Sequence, residues 1–141
     1  MSIMALDVGT KRIGVAVADA SATFAFPAGT IARSNLSHDL AQIRDYIERY
    51  AVSELVVGDP LTLSGQRGPA ADAIDRFVEK LRMHFEGSIH RVDERMTTAQ
   101  ATKSLIAADV SRKKRKTVVD AMAAALILET FLARRRNESA S

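Results

Sequence analysis

The spacing of apolar positions changes along the chain, and each change marks an element. Ile3-Met4-Ala5-Leu6-Asp7 is a short apolar run closed by a carboxylate. After Gly9 and the polar Thr10-Lys11-Arg12 comes a second run, Ile13 to Ala18, of small and branched residues. Two such runs around a glycine-containing turn predict a β-hairpin. A third strand, from about Phe24 to Arg33, carries Pro27, which suits an edge or a bulge because proline has no N–H to give a central ladder. The period then lengthens: Leu40, Ile43, Ile47 and Tyr50 recur at helical spacing behind Asn35 or Ser37, either of which can cap the helix. Glu54-Leu55-Val56-Val57-Gly58 reads as a strand buried on both faces, as parallel strands are, and it stops at Asp59-Pro60.

Leu61 to Pro69, with Gly65 and Gly68, reads as a loop, and Ala70, Ile74, Phe77, Val78 and Leu81 mark a second helix. Ser88 to Val92 is a fifth strand ending on Asp93-Glu94-Arg95. Thr97 can cap a third helix reaching about Ala108 through Ala101 and Leu105. A basic loop, Arg112-Lys113-Lys114-Arg115-Lys116, precedes a last helix from about Thr117 to Arg134, with Val118, Val119, Met122, Leu126, Ile127, Phe131 and Leu132 as its apolar residues. Antiparallel strands followed by strand-helix crossovers predict an α/β fold, a mixed five-stranded sheet with helices on its faces.

At 141 residues, 47% hydrophobic and 26% charged, the chain suits a single domain, expected over 1–136, with 137–141 as a frayed tail. The start lacks a basic segment and meets Asp7 too early for a secretory signal, and no apolar run approaches the roughly 20 residues a membrane span needs. The absence of cysteine excludes disulfides and thiolate zinc sites and suits the cytosol. The formal charge is +3, and the excess is clustered at Arg112 to Lys116 and at Arg134-Arg135-Arg136. Clustering of that kind favours a polyanionic partner, against the plainer reading of solvated faces and a basic tail.

Sites in α/β sheets form at the carboxyl ends of parallel strands. Asp7, Asp59 and Asp93-Glu94 stand at such ends, and Asp120 lies in the first turns of the last helix on a stripe with Ala124, Ile127 and Phe131. A lone carboxylate on an apolar stripe is costly unless a cation and other carboxylates await it. Hard divalent ions such as Mg²⁺ prefer oxygen ligands, and a pair of them can hydrolyse a phosphodiester without a nucleophilic side chain. The plainer readings are a turn cap for Asp7, a macrodipole partner for Asp120, a capping arrangement for Asp93 and Glu94, and a turn residue for Asp59. His38, His84 and His90 are scattered and suit the surface better than a ligand set.

Taken together, Asp7-Val8-Gly9-Thr10-Lys11-Arg12-Ile13-Gly14 running on to Asp19, Val56 to Leu61 with Gly65 and Gly68-Pro69, Asp93-Glu94-Arg95-Met96-Thr97-Thr98, and Val110 to Lys116 with Val119-Asp120 and Ala123-Ala124 resemble the YqgF family, also called RuvX. The resemblance runs from Leu6 to about Leu132. It implies a ribonuclease H-like fold related to Holliday junction resolvases, a cytoplasmic bacterial protein, and a nuclease that matures the 5′ end of pre-16S rRNA. It also implies Asp7, Glu94 or its neighbour Asp93, and Asp120 as the catalytic carboxylates holding Mg²⁺ or Mn²⁺, with Glu94 favoured for its reach. One departure stands out. Where the family often has an apolar residue before the proline of Gly-x-Pro and asparagine two residues after it, this chain has Asp59 and Thr62. The change either adds a metal-facing carboxylate or alters the loop.

Lys11, Arg12 and Arg95 beside the carboxylates, and Arg112, Lys113, Lys114 and Arg115 ahead of Asp120, are the expected phosphate contacts. With 5% aromatics and no tryptophan, recognition through backbone shape is expected over base stacking. A homodimer would suit junction cutting, because two scissile strands ask for two sites. Two other classes remain: an actin-like ATPase lobe, which also begins Asp-x-Gly-Thr but works in pairs of lobes, and an RNA-binding factor without catalysis.

Overall fold

The computed structural model describes residues 2–19, 24–60, 64–93 and 112–140, with side chains in the last range from 120 to 138. Strands β1 (Ser2–Val8), β2 (Arg12–Asp19) and β3 (Phe26–Ala32) lead to helix α1 (Leu36–Arg49). Strand β4 (Val52–Asp59), helix α2 (Pro69–Arg82), strand β5 (Ser88–Asp93) and helix α3 (Arg112–Ala140) follow. The sheet order is β3-β2-β1-β4-β5. β1 runs antiparallel to β2, and β2 to β3, while β1, β4 and β5 are parallel. This is the mixed five-stranded α/β sheet expected from the pattern.

Strands β1, β2, β4 and β5 alternate their side chains between two cores, as period-two geometry requires. Met4, Leu6, Ile13, Val15, Leu55 and Val57 face α1 and α2 with Ile43, Ile74, Phe77 and Leu81. Ile3, Ala5, Ala16, Val56 and Val92 face α3 with Ala124, Ile127, Leu128 and Phe131. Burial on both faces explains why β1 and β4 read as continuous apolar runs. Pro27 lies on the edge strand beside a register shift between Val15 and Ala16, so its missing N–H costs the central ladder nothing. Asn35, rather than Ser37, caps α1, its side chain accepting from the His38 N–H at 2.9 Å.

Two boundaries differ from the sequence reading. The basic segment Arg112–Lys116, expected as a loop, forms the first turns of α3, which begins at Arg112 rather than near Thr117. The first turn holds no acidic residue, and its basic residues oppose the macrodipole, so the charge pattern does not announce a helix start. At the other end α3 continues to Ala140, past residue 136. The helix expected from Thr97 to Ala108 lies outside the described residues.

Candidate active site

Asp7 sits near the carboxyl end of β1 and alternation directs it, with Ile3 and Ala5, to the α3 face. Its partner across the hairpin is Gly14. Over Gly14 the backbone of α3 passes at the level of Asp120: a Cβ on Gly14 would stand 1.8 Å from the Asp120 carbonyl oxygen and 3.1 Å from the Ala121 nitrogen. Only glycine permits that approach. It is helped by the buried alanines Ala121, Ala123, Ala124 and Ala125, which let the helix lie low on the sheet. Asp7 and Asp120, 113 positions apart in sequence, are thereby delivered to neighbouring positions around one glycine.

Arg12, the first residue of β2, donates from Nε to Asp120 Oδ2 at 2.6 Å. The pair is about one-third and one-quarter exposed, so solvent still screens it. Arg12 thus holds the Asp120 side chain and offsets its negative charge. Lys11 is exposed on the turn beside it. Asp7 and Asp120 offer carboxylate oxygens, the hard donors that Mg²⁺ and Mn²⁺ accept. No group of three or more His, Cys, Asp or Glu residues suited to a metal ion occurs among the described residues. Glu94 and Arg95 lie outside them.

Asp59 and Asp93 pair across β4 and β5 on the opposite face. Val92 faces α3, so Asp93 alternates away from it, with Arg91 and Ile89. Asp59 is held by two guanidinium groups: Arg67 Nη1 donates to Oδ2 at 2.8 Å and Arg91 Nη2 to Oδ1 at 2.9 Å. Both arginines also reach Asp75 on α2, Arg91 at 2.9 Å. Hydrogen bonds from Arg67 and then Arg91 hold the Asp75 carboxyl below its ordinary value. Two acids and two bases close a ring that ties the segment before α2 to the sheet. That accounts for Asp59 in place of an apolar residue.

The basic residues Arg112, Lys113, Lys114 and Arg115 occupy the start of α3, on the same helix as Asp120 and ahead of it. The histidines have partners of their own. His38 contacts Asp39 and His84 contacts Arg44, while His90 lies between Glu54, at 3.1 Å, and the Phe131 ring, at 4.7 Å between centroids. Glu54 also takes a two-pronged contact from Arg135 at 2.7 and 3.0 Å. That contact, opposed by burial and helped by His90, keeps the Glu54 carboxyl below its usual value.

The sequence reading did not single out Arg33 and Asp39. Asp39, on α1, is 2% exposed and accepts from Arg33 Nε at 3.1 Å, the Ser34 N–H at 3.1 Å and His38 Nδ1 at 3.2 Å. The signal was present: Asp39 shares a helical stripe with Ile43, Tyr46, Ile47 and Tyr50, the kind of pattern that drew attention to Asp120.

A mixed sheet of this order, with a long helix packed across its first strands, gives the chain a ribonuclease H-like α/β fold. In overall fold it is similar to Thermus thermophilus RuvC in complex with a Holliday junction substrate, with a TM-score of 0.61 and 14% identity over 97% of this chain and 96% of that one. The family is given by sequence: residues 1–134 match the model described as "RuvX: Holliday junction resolvase", and the chain belongs to that family of nucleases. A relative from Desulforudis audaxviator is 42% identical over 137 residues, 97% of each chain. One from Moorella thermoacetica is 45% identical over 134 residues, 95% of this chain and 96% of its own. Both bear the name "Putative pre-16S rRNA nuclease".

Proposed function

We propose that the chain hydrolyses phosphodiester bonds at the 5′ end of pre-16S rRNA, in the cytoplasm, with Mg²⁺ or Mn²⁺ held by Asp7, Asp120 and Glu94. The observation that carries this reading is that Gly14 pairs with Asp7 and lies directly beneath the backbone of Asp120, which makes the two positions neighbours. A divalent ion would take oxygen donors from both carboxylates, with Arg12 already holding Asp120. Glu94 is chosen over Asp93 because Asp93 belongs to the face of Asp59, Arg67 and Arg91. A divalent ion at such a site supplies an activated water and charge stabilisation for the leaving oxygen. The chain's own groups prepare the place: Arg12 holds Asp120 in one orientation, and the hairpin fixes Asp7. Lys11, Arg95 and the segment Arg112, Lys113, Lys114 and Arg115 bind flanking phosphates, which supplies affinity with little sequence information. The names of the relatives favour pre-16S rRNA as substrate.

A Holliday junction is the second reading, favoured by the family's description and the RuvC-like fold. It would require a homodimer presenting two sites. The test is cleavage of end-labelled pre-16S 5′ leader RNA, duplex RNA, single-stranded DNA and a four-way junction, with Mg²⁺, Mn²⁺ or EDTA. Metal-dependent cutting of the leader, lost in Asp7→Asn and Asp120→Asn, is the expected result. Preferential junction cutting moves the substrate to DNA. RNA bound but intact under every condition leaves a binding factor instead.

A further inference from the structure

The geometry points to Arg33 and Asp39 as positioning residues for the Asp7 carboxylate, an inference that rests on the reading of Asp7 as a metal-holding group. Gly9, Thr10 and Lys11 are all exposed, so the turn that follows Asp7 has little packing to hold it. Its own closure is one bond, from the Gly9 N–H to the Arg12 carbonyl at 2.8 Å. Arg33, just past β3, grips the turn at two further points. Its Nη1 donates to the Gly9 carbonyl at 2.8 Å, and its backbone N–H donates to the Lys11 carbonyl at 2.9 Å. The guanidinium is itself immobilised, by Asp39 on α1 through Nε and by the Phe77 ring of α2, 5.4 Å from Cζ to the centroid. Asp39 spends both oxygens on this task, Oδ2 on Arg33 and Oδ1 on the Ser34 N–H and His38.

The result is a brace from the α1 and α2 layer, around the end of the sheet, to the turn between Asp7 and Arg12. Apolar residues could fill the same space at less desolvation cost. They could not hold a carbonyl at a fixed point, which is what a planar guanidinium with several donors does. Because Arg12 in turn holds Asp120, displacement of the turn reaches both carboxylates at once.

The experiment compares Arg33→Met, Arg33→Lys and Asp39→Asn with wild type and Asp7→Asn. It reads Mn²⁺ affinity by electron paramagnetic resonance, amide exchange at residues 9–11, and kcat and KM on leader RNA. Circular dichroism checks folding. Braced positioning predicts faster exchange in the turn, and Mn²⁺ affinity and kcat lower by about 10–100-fold, as for supporting shells of metal sites, with KM little changed. Arg33→Lys keeps charge and stem and remains interpretable if Arg33→Met does not fold. One ammonium cannot serve Gly9 and Asp39 in the same fork, so the loss should persist. Folded variants with wild-type exchange, Mn²⁺ affinity and kcat overturn the inference, provided Asp7→Asn loses both Mn²⁺ affinity and kcat. If Asp7→Asn itself keeps both, the reading of the site fails, and the brace has no metal-holding group to position.

Discussion

At Gly14 a hydrogen atom stands where any other residue would put a carbon into the backbone of α3. The atoms in the way are the carbonyl of Asp120 and the nitrogen of Ala121, which cannot rotate aside as a side chain would. Gly14→Ala should therefore lift α3 off β2 and cost at least the about 1–3 kcal/mol of ordinary overpacking, read as a lower urea midpoint. Cleavage should fall further than stability, because the same shift separates Asp7 from Asp120. Asp59 makes the opposite case. With its oxygens committed to Arg67 and Arg91, Asp59→Asn should leave Mn²⁺ affinity unchanged while Asp7→Asn abolishes it, and a loss in Asp59→Asn would make it a ligand after all. The sequence offered Asp59 both as a ligand and as a loop residue, because position at a strand end is legible and the face is not. Alternation could settle the face only once Val92 and Val57 were assigned to their cores.

Two helices show what an element adds. On α1, burial alone would push the Asp39 carboxyl up, but hydrogen bonds from the Ser34 N–H, His38 and Arg33 outweigh it and hold the group below its ordinary 3.8. A carboxyl depressed in the folded state binds its proton more readily when unfolded. Its contribution is therefore full above pH 3.8 and is lost as the pH falls through the lower folded value. Asp39→Asn should then cost about 1–3 kcal/mol at neutral pH, with the gap to wild type closing only below that point in urea titrations at stepped pH. On α3 the first turns carry Arg112 to Lys116 against the macrodipole, an arrangement that a bound polyanion relieves. Replacing these five residues by glutamine should weaken RNA binding and flatten the salt dependence by roughly 0.7 in log K per log salt for every single-strand phosphate that is no longer neutralised. A slope equal to wild type would show that this segment does not touch phosphate. The segment was read as loop for the same physical reason: a run of basic residues with no acid in the first turn lacks the charge signature of a helix start.

Across the whole molecule, the fold was legible because the periodicities agree with one another. Runs apolar on both faces require two covering layers, and the covering helices carry matching stripes, Ile43 and Phe77 on one side and Ala124, Ile127 and Phe131 on the other. The ionic couplings were not legible, since Arg12 with Asp120, Arg91 with Asp75 and Arg135 with Glu54 join residues whose proximity exists only after the sheet has formed. The two apolar cores also imply that folding needs no metal, unlike small domains whose cores are completed by an ion. The protein should keep its helical circular dichroism in EDTA and melt cooperatively. If Asp7 and Asp120 hold a divalent ion only in the folded state, adding it to a hundredfold excess over Kd should raise unfolding free energy by about 2.7 kcal/mol. Asp7→Asn should remove that increment. An equal increment in wild type and Asp7→Asn would place the stabilising ion elsewhere and detach Asp7 from the metal.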